Sequence, residues 1–414
     1  MVPKGWELSS IGKISDVSSG GTPSRNNEAY WNGNIPWVTT AEVQFKIIED
    51  TVEKITEEGL ANSSAKLFPA GTILMAMYGQ GKTRGQVAKL GIDASTNQAC
   101  AAIVLHTGYE VDFYYQFLIS QYENIREMAN SGGQQNLSGG IVKSIPVPVP
   151  PLTEQKKIAK ILSTWDNAIS VTEKLLTNSQ QQKKALMQQL ITGKKRLLDE
   201  RGVRFSGEWE YTIFGNLGDT YTGLTGKTKE DFGAGKPYIP YINIFKNSRI
   251  DIQNLEYVQV NDDERQSVVK YGDIFFTTSS ETPEEVGMSS VLLEEVSEVF
   301  LNSFCFGFRL NNFETLIPKY ARYLFRSEHV RRQISTLGQG ATRYNLSKRQ
   351  LIKLELKLPC VEEQQKIAAV LSAADAEIST LEKKLACLRD EKKALMQQLL
   401  TGKRRVKVDE AVAE

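Results

Sequence analysis

The sequence contains little of what disulfide frameworks and metal sites require. It has four cysteines, none of them in a CxxC pair, and only two histidines. Disulfide scaffolds and zinc sites need cysteine or histidine side chains at short, regular spacings. We therefore interpret the cysteines as reduced thiols and assign no metal site and no catalytic histidine.

Long apolar runs are also missing. No run approaches the roughly 18 residues of a membrane-spanning helix, and the opening MVPKGWELSS lacks the apolar stretch of a signal peptide. Hydrophobic residues make up 41% and charged residues 24%, with a net charge of +1, which is typical of globular proteins. We expect a cytoplasmic protein without membrane contact, and one too long for a single core.

Catalytic motifs are absent as well. MAMYGQGKT, at 75–83, resembles a phosphate-binding loop, but the fingerprint GxxxxGK[ST] requires glycine where Ala76 stands. The motifs GxSxG and HExxH do not occur, and nothing resembles the Asn-Pro-Pro-aromatic loop of adenine methyltransferases. We assign no catalytic residue.

What the chain does contain is an internal repeat. KKALMQQLITG at 183–193 returns as KKALMQQLLTG at 392–402. An offset of 209 residues aligns 154–196 with 363–405 without a gap, and more than half of the positions are identical. Such self-similarity indicates a duplicated structural unit. The predicted segments are a first variable block at 1–150, a first repeated segment at 151–197, a second variable block at 198–357, and a second repeated segment with its tail at 358–414.

Each repeated segment is predicted to be one long helix. Pro151 and Pro359 precede the starts, Thr153 is a plausible N-cap, and Gly193 and Gly402 follow the last turns. A length of about 38 residues corresponds to roughly 57 Å, longer than typical helices of globular domains. Steps of four and three place apolar residues on a coiled-coil seam, whose members are Ile158, Leu162, Trp165, Ile169, Leu176, Leu186, Leu190, Ile367, Leu371, Ile378, Leu385, Leu395 and Leu399.

The two helices are expected to pair in antiparallel orientation. A parallel pair would require the chain between Gly193 and Trp209 to travel back roughly 57 Å, whereas about fifteen extended residues span at most about 50 Å. The alternative is two independent amphipathic helices, each lying on its own domain. Lys183 and Lys392 interrupt both seams at matching places. They could fix the register, or mark where the pair splays and a partner protein binds, and we prefer the second interpretation.

The variable blocks have the pattern of mixed α/β (α+β) domains. Strand-like runs alternate with turns, and a helical stretch follows in each block. In block one, the runs are IPWV at 35–38, GTILMAM at 71–77 and ACAAIVL at 99–105, with a helix at 112–130. In block two, they are YIPYINI at 238–244, GDIFFTT at 272–278 and FCFGFRL at 304–310, with a helix near 317–335.

Several polar, mostly glycine-rich loops have the side chains that read DNA bases. Arg and Lys suit guanine O6 and N7, and Asn and Gln suit adenine N6 and N7. Loops of this kind are also ordinary on protein surfaces, so this interpretation competes with a plain solvated surface. The candidate DNA-binding residues are Gln80, Lys82, Thr83, Arg84, Gln86, Gln134, Gln135, Asn136, Thr277, Ser279, Arg343, Tyr344, Asn345 and Lys348.

The layout of block, helix, block and the same helix resembles the specificity (S) subunit of Type I restriction-modification enzymes. The resemblance lies in PPLTEQKKIAKILS at 150–163, LPCVEEQQKIAAVLS at 358–372, and the doubled LMQQL ending. The variable blocks match only in pattern, so no base preference can be carried over.

The resemblance implies a protein without catalytic activity of its own. Each block would be a target recognition domain that reads one half of a bipartite, asymmetric site in double-stranded DNA. The helices would form an antiparallel coiled-coil spacer that docks two modification (M) subunits, which bind S-adenosylmethionine and methylate adenine N6. Restriction (R) subunits would add a translocase and endonuclease that depends on ATP and Mg²⁺.

Two other classes of function stay open at this point. One is a coiled-coil adaptor whose two globular heads bind proteins. The other is a self-contained restriction enzyme with a fused methyltransferase, which the missing methyltransferase loop disfavours.

Overall fold

The computed structural model describes residues 2–79, 82–130, 136–340 and 342–407. It divides into two units, each made of two stretches of chain. Unit 1 comprises Met1–Lys174 with Lys383–Glu414, and unit 2 comprises Leu175–Glu382. Each unit therefore joins one variable block to part of both repeated segments.

The described residues of the first half of the chain form ten strands and six α-helices. The strands are β1 (Glu7–Ser10), β2 (Ser15–Ser19), β3 (Trp31–Val38), β4 (Ile47–Ile48), β5 (Glu53–Ile55), β6 (Ile73–Ala76), β7 (Val87–Leu90), β8 (Ser95–Thr96), β9 (Cys100–Leu105) and β10 (Pro146–Val149). The helices are α1 (Ile11–Ile14), α2 (Glu57–Ala61), α3 (Val111–Ser120), α4 (Tyr122–Asn130), α5 (Gly139–Ser144) and α6 (Leu152–Ile191).

The second half follows the same order. Its strands are β11 (Glu210–Ile213), β12 (Gly218–Thr222), β13 (Phe232–Ile239), β14 (Glu256–Val258), β15 (Ile274–Thr277), β16 (Ser279–Ser280), β17 (Ser289–Val291), β18 (Phe300–Leu301), β19 (Cys305–Leu310), β20 (Tyr344–Asn345) and β21 (Glu355–Leu358). Its helices are α7 (Tyr241–Lys246), α8 (Pro318–Leu324), α9 (Glu328–Thr336), α10 (Lys348–Leu351) and α11 (Val361–Leu399).

The sheets of the two units share one plan. In unit 1 the main sheet has the strand order β2-β9-β6-β7-β4, beside a small sheet β5-β3-β8 and a pair β1-β10. In unit 2 the corresponding sheets are β12-β19-β15-β17, β14-β13-β18 and β11-β21, and a short pair β16-β20 is added. The mixed α/β class predicted from the sequence is confirmed.

Three predicted elements differ from the structure. The helix expected near 317–335 is two helices, α8 and α9, separated by residues 325–327. The helix expected at 112–130 is two helices, α3 and α4, separated at Gln121. The run YIPYINI, expected as a strand, leaves strand β13 at Ile239 and turns into helix α7. Pro240 precedes α7, and because proline has no N–H to donate to a strand ladder, it favours the change from strand to helix.

The long helices begin and end close to the predicted positions. Helix α6 has 40 residues and α11 has 39. The N-cap prediction at Thr153 is wrong, because α6 already begins at Leu152, directly after Pro151. Gly193 and Gly402 both adopt φ of +69°, the left-handed conformation that commonly follows a helix end.

In unit 1, the beginning of α6 lies against the end of α11. Lys392 Nζ is 2.6 Å from Asp166 Oδ1, and Arg389 Nη2 is 2.6 Å from Glu173 Oε1. Asp166 also accepts a hydrogen bond of 2.5 Å from Gln116 on helix α3. Residue numbers rise along one helix as they fall along the other, so these two segments are antiparallel.

Unit 2 repeats this arrangement with the other ends of the same helices. Lys183 forms an ion pair with Asp375, and Ser179 Oγ donates to Glu377 Oε1 at 2.9 Å. Asp375 also pairs with Arg322 Nη2 at 2.7 Å. The segments in unit 2 are therefore antiparallel too, and every predicted seam residue is buried or half-buried.

The two seam lysines do not mark a point where the helices splay, so this part of the interpretation preferred from the sequence is wrong. The expected binding of a partner protein at these lysines stays a prediction. Each lysine bonds an aspartate of the facing helix within its own unit. Beyond Lys183 the helices stay together, since Leu190 shares a buried core with Ile367. The structure agrees with the alternative, in which Lys183 and Lys392 fix the register of the antiparallel segments.

In each unit, a buried glutamate near the start of one long helix binds side chains from other parts of the chain. In unit 2, the Glu363 side chain is fully buried and accepts two hydrogen bonds from Arg196, at 2.6 and 2.7 Å. It also accepts a hydrogen bond of 3.2 Å from the indole N–H of Trp209. The contact ties the start of α11 to the residues that follow α6.

Unit 1 contains the equivalent cluster. Glu154 pairs with Arg405, whose Nε lies 2.9 Å from the carboxylate, and it accepts a hydrogen bond of 3.2 Å from Trp6. The next residue is a buried glutamine in both units, and its side chain bonds the chain ahead of helix α3 or α8. Gln155 accepts from Glu110 N at 2.9 Å, and Gln364 accepts from Ile317 N at 3.1 Å. These contacts explain the Glu-Gln pair that both repeated segments carry.

We expect Glu363→Ala to lower the free energy of unfolding by about 3 kcal/mol, because it leaves Arg196 and the Trp209 indole without their buried acceptor. Urea denaturation of the full chain measures the change. Glu362→Ala is the matched control, since Glu362 is exposed and its loss should change stability by less than about 0.5 kcal/mol. Equal stability of the two variants would contradict a stabilising role for the cluster.

Candidate nucleic-acid interface

In unit 1, four loop segments meet at one end of the main sheet. Strands β2 and β6 end where β9 begins, because Ser19 pairs with Ala101 and Ala76 pairs with Cys100. The Leu137 amide donates to the Met77 carbonyl at 3.0 Å and brings the segment before α5 to the same place. We call this end the unit 1 loop edge. Its four segments are residues 20–27, residues 77–86 without 80 and 81, residues 97–99 and residues 136–138.

The structure brings the predicted unit 1 residues together at this edge. Lys82 and Asn136 are exposed. Thr83, Arg84 and Gln86 are half-buried. Gln80, Gln134 and Gln135 lie outside the described residues.

Helix α4 supports the loop between β6 and β7. The Tyr122 hydroxyl donates a hydrogen bond to the Lys82 carbonyl. Gly85 has a φ of +85°, and a Cβ there would lie 3.1 Å from Cγ of Arg126. The loop therefore needs glycine at this position and rests on α4 side chains.

A further cationic group at this edge is already neutralised. The Arg25 guanidinium lies 3.8 Å above the Trp31 ring and forms two hydrogen bonds with Glu53. The hydrogen bond to Glu53 raises the pKa of Arg25. Because its charge is paired and its plane is stacked, Arg25 is a weaker candidate for a phosphate contact than Lys82.

In unit 2, the short strand pair β16-β20 joins the two predicted polar loops. Ser279 pairs with Asn345 and Ser280 with Tyr344. The Leu346 amide also donates to the Thr278 carbonyl at 2.8 Å. We call the end of the main sheet formed by residues 278–288, 302–304, 339–340 and 342–346 the unit 2 loop edge.

Two of the predicted unit 2 residues face inwards. Thr277 is fully buried, and its hydroxyl accepts a hydrogen bond of 3.0 Å from the Met288 amide. Ser279 is 8% exposed, and its carbonyl accepts from the Tyr241 hydroxyl at 3.0 Å. The sequence pattern of TTSSE did not distinguish these inward side chains from surface ones. Thr277 and Ser279 therefore support the strand pair β16-β20 and do not present side chains at its surface.

The exposed residues among those predicted for this edge are Arg343 and Asn345. Tyr344 is half-buried between them, and Lys348 lies with its Nζ 5.7 Å from the centre of the Phe306 ring. Partial burial lowers the pKa of Lys348. Arginine and asparagine have the donors and acceptors that recognise guanine and adenine in the major groove.

Two half-buried arginines lie behind the unit 2 loop edge. Arg331 donates to the carbonyls of Glu284, Val286 and Gly287 at 2.8, 2.6 and 2.6 Å. Arg326 donates to the Ser289 carbonyl at 2.6 Å and to three carbonyls around the end of helix α7. Among the described residues, no carboxylate lies within 4.0 Å of either guanidinium.

The surroundings of these arginines affect their protonation. Burial lowers the pKa of Arg331 to about 10. Burial, with a smaller contribution from the charge of Arg331, also lowers the pKa of Arg326 to about 10. Both stay protonated at neutral pH, so they place positive charge directly behind the loop while fixing its backbone.

One loop at each edge was missed by the sequence reasoning. Asn97 and Asn302 begin matching turns, in which the asparagine carbonyl accepts from Cys100 N at 3.2 Å and from Cys305 N at 3.1 Å. The sequence does contain a signal for these turns. NQAC and NSFC each lead into a buried strand, whose first residue is the cysteine. Exposed Gln98 and Phe304 occupy these turns.

The part of the chain that the structure describes contains neither a metal site nor a membrane-spanning helix. No group of three or more His, Cys, Asp and Glu side chains is placed to hold a metal ion. None of its helices combines the length and apolar character needed to cross a membrane.

Comparison with known proteins gives a consistent match. The model of the Type I restriction modification DNA specificity domain matches residues 3–178 and again residues 207–388. Together these ranges cover most of the chain. They confirm the resemblance that the repeated segments indicated.

Curated relatives differ in how much of them the chain covers. The Type I restriction enzyme MjaIX specificity subunit of Methanocaldococcus jannaschii is 32% identical over 178 residues, which are 42% of this chain and 40% of that protein. The MjaVIII specificity subunit of the same organism is 25% identical over 98% of this chain and 94% of its own length. Neither relative supports a protein-binding adaptor or a self-contained restriction enzyme.

Solved structures of low sequence identity share the fold. The Type I restriction-modification S subunit from M. genitalium aligns with a TM-score of 0.59 and 16% identity, covering 96% of both chains. HsdS from Thermoanaerobacter tengcongensis aligns with a TM-score of 0.51 and 16% identity, covering 97% of this chain and 98% of its own.

We expect Arg331→Met to loosen the unit 2 loop edge, because it leaves three backbone carbonyls without their donor. Loss of a hydrogen bond from a charged donor of this kind costs about 1 kcal/mol or more. Hydrogen exchange of the 281–288 amides should accelerate at least tenfold. Arg332→Met is the control, since Arg332 is exposed and bonds Glu328. Unchanged exchange in Arg331→Met would show that the loop does not depend on this side chain.

Proposed function

Because the chain belongs to the Type I restriction modification DNA specificity family, we propose that each of its two units reads one half of a bipartite, asymmetric site in double-stranded DNA. One observation carries the proposal. The two units share the same sheet order and the same cluster at the start of the long helix, whereas their loop edges carry different side chains.

The chemistry of the loop edges suits this task. Unit 1 exposes Lys82 and Asn136, and unit 2 exposes Arg343 and Asn345. Lysine and arginine recognise guanine O6 and N7, and asparagine recognises adenine N6 and N7. Asn136 and Asn345 are counterparts in the repeat, whereas Lys82 and Arg343 lie on different loops of their units. Because the cationic side chains stand at different places on equivalent frames, the two units read two different half-sites.

The long helices set the distance between the half-sites. Helices of 40 and 39 residues extend roughly 60 Å at 1.5 Å per residue. DNA advances about 34 Å per turn, so each helix is longer than one turn of the duplex.

The helices also bind two identical methyltransferase subunits. Lys184, Ala185 and Gln189 in α6 have identical counterparts Lys393, Ala394 and Gln398 in α11, and all six are exposed. Core packing does not require identity at exposed positions, whereas binding of the same partner by both copies does.

Catalysis belongs to these partners. The M subunits bring S-adenosylmethionine and methylate adenine N6. The R subunits bring ATP-dependent and Mg²⁺-dependent translocation and cleavage. The present chain contributes sequence recognition and assembly.

We expect replacement of residues 1–150 by the corresponding block of a relative to change one half-site and leave the other unchanged, because each loop edge belongs to one unit. Methylation mapping of the hybrid complex measures both half-sites at once. The reciprocal exchange of 198–357 is the matched control and should change the other half. A hybrid that alters both half-sites, or neither, is incompatible with two independent reading units.

We expect the double variant Lys184→Glu, Lys393→Glu to weaken assembly with M subunits about tenfold or more, as loss of an important interface contact does. Co-purification and equilibrium binding measure the effect. Lys160→Glu is the control, because Lys160 is exposed and its counterpart is Ala369. If both variants assemble equally well, this face of the helices does not bind the partner.

A further inference from the structure

Phe304 is an apolar side chain held at the surface of the unit 2 loop edge. Of its surface, 61% is exposed, compared with 40% for Phe313 and 36% for Phe232. Single exposed apolar residues are common on proteins, so exposure alone does not indicate a role. The surroundings of Phe304 give the reason to consider one.

The backbone of Phe304 is fixed on both sides. Its carbonyl accepts hydrogen bonds from Thr278 N at 3.0 Å and from Thr278 Oγ1 at 2.7 Å. Its amide donates to Asn302 Oδ1 at 2.8 Å. The ring therefore projects from a rigid position, and little conformational entropy is lost when it binds a partner group.

Unit 1 contains the same turn with a different side chain. The Ala99 amide donates to Asn97 Oδ1 at 3.1 Å, and the Ala99 carbonyl accepts from Met77 N at 2.8 Å. The hydrogen bonds are thus equivalent in the two units, whereas phenylalanine in unit 2 stands where unit 1 has alanine. A fixed frame with an exchanged side chain is the expected pattern for a residue that determines specificity.

The ribbon β16-β20 lies beside this turn. Thr278, which holds Phe304, directly precedes β16, and its carbonyl accepts a hydrogen bond from Leu346, which directly follows β20. Arg343 and Asn345 are exposed on the same edge. The major groove of DNA admits a two-stranded ribbon of this kind.

We propose that Phe304 contacts the C5-methyl group of a thymine in the half-site that unit 2 reads. The proposal rests on the proposed function of this chain. A phenyl ring offers no hydrogen-bond donor or acceptor to a base edge, and the thymine methyl group is the apolar feature that the major groove presents. Unit 1 has only the small Ala99 at this position.

The test replaces thymine by uracil, which removes the methyl group and preserves base pairing. The half-sites are first mapped by methylation and assigned to the units by block exchange. Binding of the complex between the full chain and its M subunits is then measured on duplexes with uracil at each thymine of the unit 2 half-site. Wild type should lose about four-fold in affinity at one position, the effect of one buried methyl group. Phe304→Ala should bind the thymine duplex and the uracil duplex with equal affinity at that position.

Two controls accompany the test. Phe313→Ala should retain the uracil effect, because Phe313 lies against Gly272, ahead of β15 and away from the loop edge. Uracil in the unit 1 half-site should affect wild type and Phe304→Ala equally. The proposal is overturned if wild type shows no uracil effect in the unit 2 half-site, or if Phe304→Ala retains it. Wild type without any sequence preference would instead overturn the proposed function itself.

Discussion

The buried glutamate at the start of each long helix is the interaction on which the rest of the structure depends. Glu154 and Glu363 are taken out of water, and a buried carboxylate is tolerated only when it is paired and hydrogen-bonded. Arg405 and Arg196 supply the paired charge, and a tryptophan supplies a further donor. The start of one helix, the residues beyond the end of the other, and the segment before the first strand of the block are thereby held together in each unit.

The two units share this frame of contacts but differ in side chains at their surfaces. The same hydrogen bonds recur at the start of the helix and at the asparagine turns of both loop edges. Side chains beyond these bonds are free to differ, as Ala99 and Phe304 do at equivalent places. A protein that reads two unlike half-sites needs such a division, because the reading residues must change without a change in the frame that positions them.

The formal net charge of +1 does not show where positive charge is concentrated in the structure. Arg326 and Arg331 are half-buried in unit 2, and their guanidinium groups donate to backbone carbonyls rather than to carboxylates. Their charge is therefore not cancelled by a neighbouring anion and contributes to the potential at the loop edge, where it favours an anionic ligand. The same bonds hold the loop in shape, so electrostatic attraction and loop geometry have a common origin.

The sequence by itself determined the repeat, the two long helices, their glycine ends and the family. These features are periodic or local, and patterns of this kind can be recognised from the sequence alone. Only the tertiary structure decided which partners the seam lysines have, because Asp166 and Asp375 are distant in sequence from Lys392 and Lys183. It also decided which polar loop residues face outwards. Thr277 and Asn345 both come from polar stretches of the sequence, yet one is buried and the other exposed, because burial depends on which strands meet at that end of the sheet.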